Sequence, residues 1–219
     1  MAPIVRNPIL RDALGIALAT GAYALSFGAL SVTSGLSVVQ TCVLSLVMFT
    51  GASQFAFIGV IGSGGNPWAG AASAALLGTR NALYGMRLAA ILQARGLKRF
   101  GAAQFVIDET TAMAINRDAP ADSRYAYWAT AFSLFTLWNL GTLIGALATQ
   151  ALPDPKVLGL DAAPPAAFLA LLAPRLRARE PVAIAIAAAV IAIVLLPFLP
   201  QGVPLLVIAV LVALTGLRP

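Results

Sequence analysis

The chain reads as long apolar runs separated by short polar punctuation. The runs fall at about 13–33, 37–61, 67–94, 125–149, 162–175, 182–199 and 203–217. A soluble amphipathic helix carries a single apolar stripe. These runs are apolar all the way round, and several reach the roughly 20 residues that a helix needs to cross a bilayer. The pattern predicts an all-α, polytopic membrane helix bundle with about six to eight membrane segments.

Glycine and proline punctuate the runs. The strongest turn is Gly62-Ser63-Gly64-Gly65-Asn66-Pro67. Pro153 to Pro155 marks a loop, and Pro197, Pro200, Gly202 and Pro204 divide the last apolar region in two. The stretch 100–117 is only moderately apolar and contains Asp108, Glu109, Thr110 and Thr111. No charged, loop-rich stretch is long enough for a soluble domain. A single integral membrane domain over residues 1–219 is the simplest organisation.

Composition agrees. Of the 219 residues 60% are hydrophobic and only 10% charged, with a mean hydropathy of +0.89; soluble domains carry about 25% charged residues. So few charges cannot cover a water-facing surface. The net charge of +6 does not point to nucleic acid, because no nucleic-acid motif accompanies it. The bases sit instead at the ends of apolar runs: Arg6 and Arg11, then Arg95, Lys98 and Arg99, then Arg175, Arg177 and Arg179. That is the positive-inside pattern. Cys42 is the only cysteine and there is no histidine, so an internal disulfide and most metal or histidine-based chemistry are excluded. The first run could pass for a signal peptide, but hydrophobic segments continue to the C-terminus. It is read as an uncleaved first span.

Charge counting produces a contradiction. If every basic cluster is cytoplasmic, the runs from 125 onward alternate correctly and return Arg218 to the inside. The first three do not. Three full spans from an inside N-terminus end outside, yet Arg95, Lys98 and Arg99 follow the third. Either 67–94 is two half-helices broken at Gly78-Thr79-Arg80-Asn81, or 95–99 is outside and 100–117 crosses the membrane. Both solutions place one broken or re-entrant element near 67–117, with polar residues at membrane depth. Those are tolerated only against protein or a water-filled cavity. No internal repeat is legible, although transporters often contain a divergent inverted one.

Arg80 is the most informative residue. It lies more than ten residues inside the third run, where an arginine costs about 2.5–3.5 kcal/mol on insertion scales. It could hold an anionic group such as a substrate carboxylate through its planar fork. It could equally be structural, paired with Asp108, Glu109 or helix-end carbonyls. Asn81 and Tyr84 accompany it, and Arg87 reads as a snorkelling residue. A second cluster, Thr50-Gly51-Ala52-Ser53-Gln54-Phe55, combines small residues with the hydrogen-bonding Ser53 and Gln54. Small residues alone suit helix packing, but a buried amide needs partners. Asp108 and Glu109 are candidates for proton coupling at membrane depth, or else decorate an interfacial helix. Gly141 and Gly145 read as close helix packing, with Trp138 and Asn139 beside them, and Asn139 could reach a cavity. Trp68 and Trp128 read as interface anchors. No nucleophile–base pair, phosphate loop or metal-ligand spacing occurs, so neither an enzyme nor a bound cofactor is expected.

These motifs resemble the AzlC family, the large component of bacterial branched-chain amino acid exporters. The resemblance rests on Phe49-Thr50-Gly51-Ala52-Ser53-Gln54-Phe55-Ala56, on Arg80-Asn81-Ala82-Leu83-Tyr84-Gly85, on Asp108-Glu109-Thr110 and on the early Arg11-Asp12-Ala13-Leu14-Gly15. It covers nearly the whole chain and says least beyond about residue 150. It implies export of branched-chain amino acids together with a small AzlD-type membrane subunit.

The expectation is therefore an ion-coupled secondary exporter of small hydrophobic amino acids in the bacterial inner membrane, with the N-terminus and basic loops cytoplasmic. Ser53, Gln54, Arg80, Asn81, Tyr84 and Asn139 are expected to bind substrate, and Asp108 or Glu109 to couple protons. The partners are the substrate, the small subunit and the bilayer, and a homo-oligomer is compatible with the sequence. The alternative is a non-transporting scaffold or assembly subunit for a small membrane partner.

Overall fold

The computed structural model describes residues 6–115, 117–151, 169, 172–173, 176–199 and 203–215. The described residues form helices and no strands. The helices are α1 (Arg6–Thr33), α2 (Val38–Val47), α3 (Gly51–Gly62), α4 (Pro67–Leu92), α5 (Leu97–Gln104), α6 (Asp108–Ile115), α7 (Pro120–Gln150), α8 (Arg179–Leu195) and α9 (Val203–Thr215). Two of them, over Pro8–Thr33 and Pro120–Gln150, are long and apolar enough to cross a membrane. Most of the expected fifth run, the 153–155 loop and Arg175, Pro200, Gly202 and Arg218 lie outside the described residues.

The frame is the pair α1 and α7, packed along their lengths in parallel. Ile9 and Ala13 cluster with Ala126 near the start of α7, and further on Gly21 faces Leu137 and Gly145 faces Leu25. Glycines at 21, 28, 141 and 145 let the two backbones touch, the small-residue packing that membrane helices use. α4 runs the other way. It begins after the turn at Asn66, whose side chain accepts from Trp68 N–H, and finishes beside the start of α7, where Arg124 Nε donates to Ile91 O at 2.9 Å.

Between these long helices sit two broken hairpins. The first is α2–α3. A capping box of Ser37 and Gln40 starts α2, at the end of the bundle where α1 finishes. Gly62, closing α3, lies against Ser34 at that same end. The turn between them, Met48 to Thr50, lies at the level of Tyr23 and Trp138, in the middle of α1 and α7. The second hairpin is α5–α6. It starts where α4 finishes, and Gln104 reaches the carbonyls of Leu46 and Val47 at the first tip. It returns to the start of α1, where Arg117 pairs with Asp12 at 3.5 Å. At about 1.5 Å per residue the arms span roughly 12–18 Å, about half a bilayer core.

A break does fall within the expected 67–117, between α5 and α6, but not at Gly78-Thr79-Arg80-Asn81. α4 continues without interruption through Gly78-Thr79-Arg80-Asn81: Thr79 satisfies its own hydroxyl on Leu76 O at 2.6 Å, and one glycine costs a helix only about 1 kcal/mol. The run 37–61 breaks as well, at 48–50, which was not expected. A helix followed by a hairpin (α1, α2–α3) is repeated in the opposite direction (α4, α5–α6).

Candidate functional site

The two hairpin tips meet at mid-height. The Phe49 and Phe105 rings lie 6.2 Å apart, and each packs edge-on against Phe135. Each tip then starts a helix, and both starts open on a cavity of about 430 Å³. Thr50, Gly51 and Ala52 line it from α3, and Ile107, Asp108 and Glu109 from α6. Thr20, Tyr23, Leu77, Arg80, Trp138 and Leu172 complete the wall. The volume lies within the roughly 300–1,000 Å³ typical of small-ligand sites.

The two helix starts differ electrically. Thr50 makes no side-chain cap and the first turn of α3 has no acid. The N–H groups of Gly51, Ala52 and Ser53 therefore keep no helical acceptor, and the end is partially positive. Gly51 keeps the approach open, since a β-carbon there would come within 3.2 Å of the Trp138 ring. α6 instead carries Asp108 and Glu109 in its first turn, which neutralise its dipole. Its tip is tied by Thr110, whose hydroxyl donates to Phe105 O at 2.7 Å and accepts from Ile107 N–H. Thr111 donates to Ile107 O at 2.7 Å.

Arg80 bridges the two halves. Its Nη2 lies 3.0 Å from Asp108 Oδ2, with the side chains 27% and 35% exposed. Its Nε is buried with no partner among the described residues. The pair is therefore open to the cavity while still holding an unused donor. A concave site with a partially positive helix end, a guanidinium, two carboxylates and apolar walls can receive a small zwitterion with an aliphatic side chain.

The other expected site residues are placed as follows. Asn81 follows Arg80 but lines a second cavity, and its Oδ1 is buried without a partner among the described residues. Ser53 is 1% exposed and sits against Gly78 between α3 and α4. Gln54 is fully buried, accepts from Trp138 Nε1 at 3.0 Å and donates a long bond of 3.5 Å to Ser45 O. Tyr84 packs with Leu88, Val106 and Tyr127. Asn139 donates to Phe135 O at 2.8 Å within its own helix. None of these last four lines the cavity of Arg80. Gln54 instead fixes the Trp138 wall. Gln54→Leu is expected to strand the indole N–H and destabilise the protein by about 1–3 kcal/mol, read as a lower melting temperature in detergent.

Sequence reasoning did not single out Thr50, Gly51, Tyr23 or Trp138 as lining. A Thr-Gly pair inside an apolar run is a helix-start signal, and it would have located the first tip.

Residues 15–152 match the family model for AzlC protein, more than half of the chain. The chain belongs to the AzlC family. It is also 26% identical over 148 residues to "Inner membrane protein YgaZ" of Escherichia coli (strain K12), an alignment covering 65% of this chain and 60% of that relative. The chain thus spans about three-fifths of the curated relative's length. No solved structure matches. With its apolar helices, the chain is an AzlC-family membrane protein.

Proposed function

We propose that this chain is a secondary transporter, not an enzyme, exporting small hydrophobic, branched-chain amino acids across the bacterial inner membrane. It works with ion coupling and with a small AzlD-type membrane subunit. One observation carries the reading: opposite charges and apolar walls share one cavity midway along the long helices. The substrate carboxylate lies at the uncapped start of α3, beside Arg80. Its ammonium faces Asp108 and Glu109. Its side chain meets Leu77, Ile107 and Trp138. Asp108 or Glu109 also takes part in proton coupling. Apolar walls discriminate by only about 1–3 kcal/mol per methylene, so leucine, valine and methionine all serve as substrates.

The charge distribution supports a membrane orientation for this reading. With 37–62 entering and leaving at one end, only α1 and α4 separate the N-terminus from residues 95–99. Arg11, Arg95, Lys98, Arg99, Arg117 and Arg124 then share one end of the bundle, and 34–66 at the other has no Lys or Arg. The arginine-bearing end is cytoplasmic by the positive-inside rule.

A scaffold reading draws on the paired state of Arg80 and the closed hydrogen bonding of Gln54. Counterflow separates the two. Vesicles preloaded with leucine, with and without the small partner, are expected to take up labelled leucine, valine and methionine against vesicles lacking the protein. No exchange in either preparation would overturn transport and leave the scaffold.

A further inference from the structure

A second cavity, of about 740 Å³, lies between the latter half of α4 and α5. It reaches from the end of the bundle that carries Arg99 up to the hairpin tips. The wall between it and the Arg80 cavity is one residue thick. Thr50 lines both. On α4, Arg80 faces one cavity and Asn81 the other. On the second tip, Ile107 faces one and Val106 the other. Met48 to Thr50 and Phe105 to Ile107 are the interruptions at the two hairpin tips, so two of the three parts of the partition are non-helical backbone. Besides the Phe49 and Phe105 rings, one side chain among the described residues hydrogen-bonds across the tips. Gln104 Nε2 donates to Leu46 O at 2.9 Å and to Val47 O at 3.1 Å, two of the carbonyls that a helix end leaves free.

We propose that the second cavity is the vestibule on the basic side of the same pathway, and that Gln104 is the latch holding the tip partition closed between the two cavities. The proposal rests on reading the chain as a transporter and adds where substrate enters and what opens. With the latch made, the Arg80 cavity is shut from the basic side. With Gln104 released, the first tip moves with the end of α2 and the two cavities join past Thr50. The unpartnered Asn81 Oδ1 then offers an acceptor to the substrate ammonium on the way.

Cysteine accessibility tests this without any substrate, so its outcome is independent of whether amino acids are carried. In a Cys42→Ser background, Lys98→Cys defines the basic side by its reaction with a membrane-impermeant maleimide. Ala89→Cys, in the vestibule, is expected to react from that side alone. Leu77→Cys, in the Arg80 cavity, is expected to react from that side slowly. Adding Gln104→Met, which keeps length and loses the donor, should accelerate it about tenfold, the shift that two lost hydrogen bonds can produce. Gln104→Lys, which still donates to the carbonyls, should leave it slow. Ala89→Cys inert from the basic side would overturn the vestibule, in the unaltered Gln104 protein and with no second variant needed. A Leu77→Cys rate unchanged by Gln104→Met would overturn the latch.

Discussion

Arg80→Ala is expected to abolish counterflow while leaving the protein folded in the membrane. Losing one member of a desolvated, hydrogen-bonded charge contact costs about 2–5 kcal/mol, roughly 30-fold or more in binding. The difficulty is that Arg80 already has a partner, Asp108, at 3.0 Å. An arginine that only neutralised Asp108 would give the same loss in the single variant. The double variant Arg80→Ala with Asp108→Asn separates the two roles. It removes the unpaired carboxylate, so a purely structural arginine predicts that the double variant exchanges as well as Asp108→Asn alone. A substrate-binding arginine predicts that it exchanges less than Asp108→Asn alone. Arg80→Lys keeps the charge but not the planar fork, and should retain part of the activity. Normal exchange by Arg80→Ala would remove Arg80 from the site.

The sequence announced the helices better than it announced their breaks. α1 and α7 follow directly from two long apolar runs, and the Asn66-Pro67 start of α4 is a plain helix-start signal. The polarity of the third run pointed to Arg80 correctly as a residue needing protein around it. It pointed wrongly to a broken helix, because a guanidinium can be satisfied from its tip, as Asp108 does, with the backbone ladder intact. The real break at Met48 to Thr50 lies in apolar sequence with no proline, and its local signal is the Thr50-Gly51 pair alone. What interrupts the helix there is tertiary. Gln104, more than fifty residues on, takes the carbonyls that end α2, and Trp138 covers Gly51. The contradiction in basic-loop counting was therefore the useful signal: an element that returns to its own side resolves it, and the packing shows α2–α3 and α5–α6 doing so. Gln54 is the converse case. Its amide promised a substrate contact by composition, but its hydrogen bonds go to Trp138 and Ser45.

Gly28→Leu and Gly145→Leu are expected to prevent stable folding, and even Gly28→Ala should be costly. A β-carbon at Gly28 would overlap the carbonyl of Thr142, and one at Gly145 the carbonyl of Leu25. These are backbone atoms in regular helices, so neither can step aside as a side-chain end would. The helices must separate. That pulls Phe27 away from Trp138 and disturbs the Ser45–Thr142 hydroxyl bond at 3.3 Å. Overpacking costs about 1–3 kcal/mol and sometimes more, so Gly28→Ala should lower the melting temperature in detergent by roughly 5 °C or more. Gly15 supplies the control within the same helix, since a β-carbon there meets nothing within 4 Å. Gly15→Ala should leave stability unchanged or raise it by up to about 1 kcal/mol through helix propensity. The contrast matters for the site as well as the frame. Tyr23, on α1, and Trp138, on α7, pack together in the wall of the Arg80 cavity, at ring centroids 6.3 Å apart. A frame that opened by one methyl group would move both walls of the cavity. If Gly28→Ala proved as benign as Gly15→Ala, the parallel α1–α7 pair would not be the rigid support on which the two hairpin tips meet.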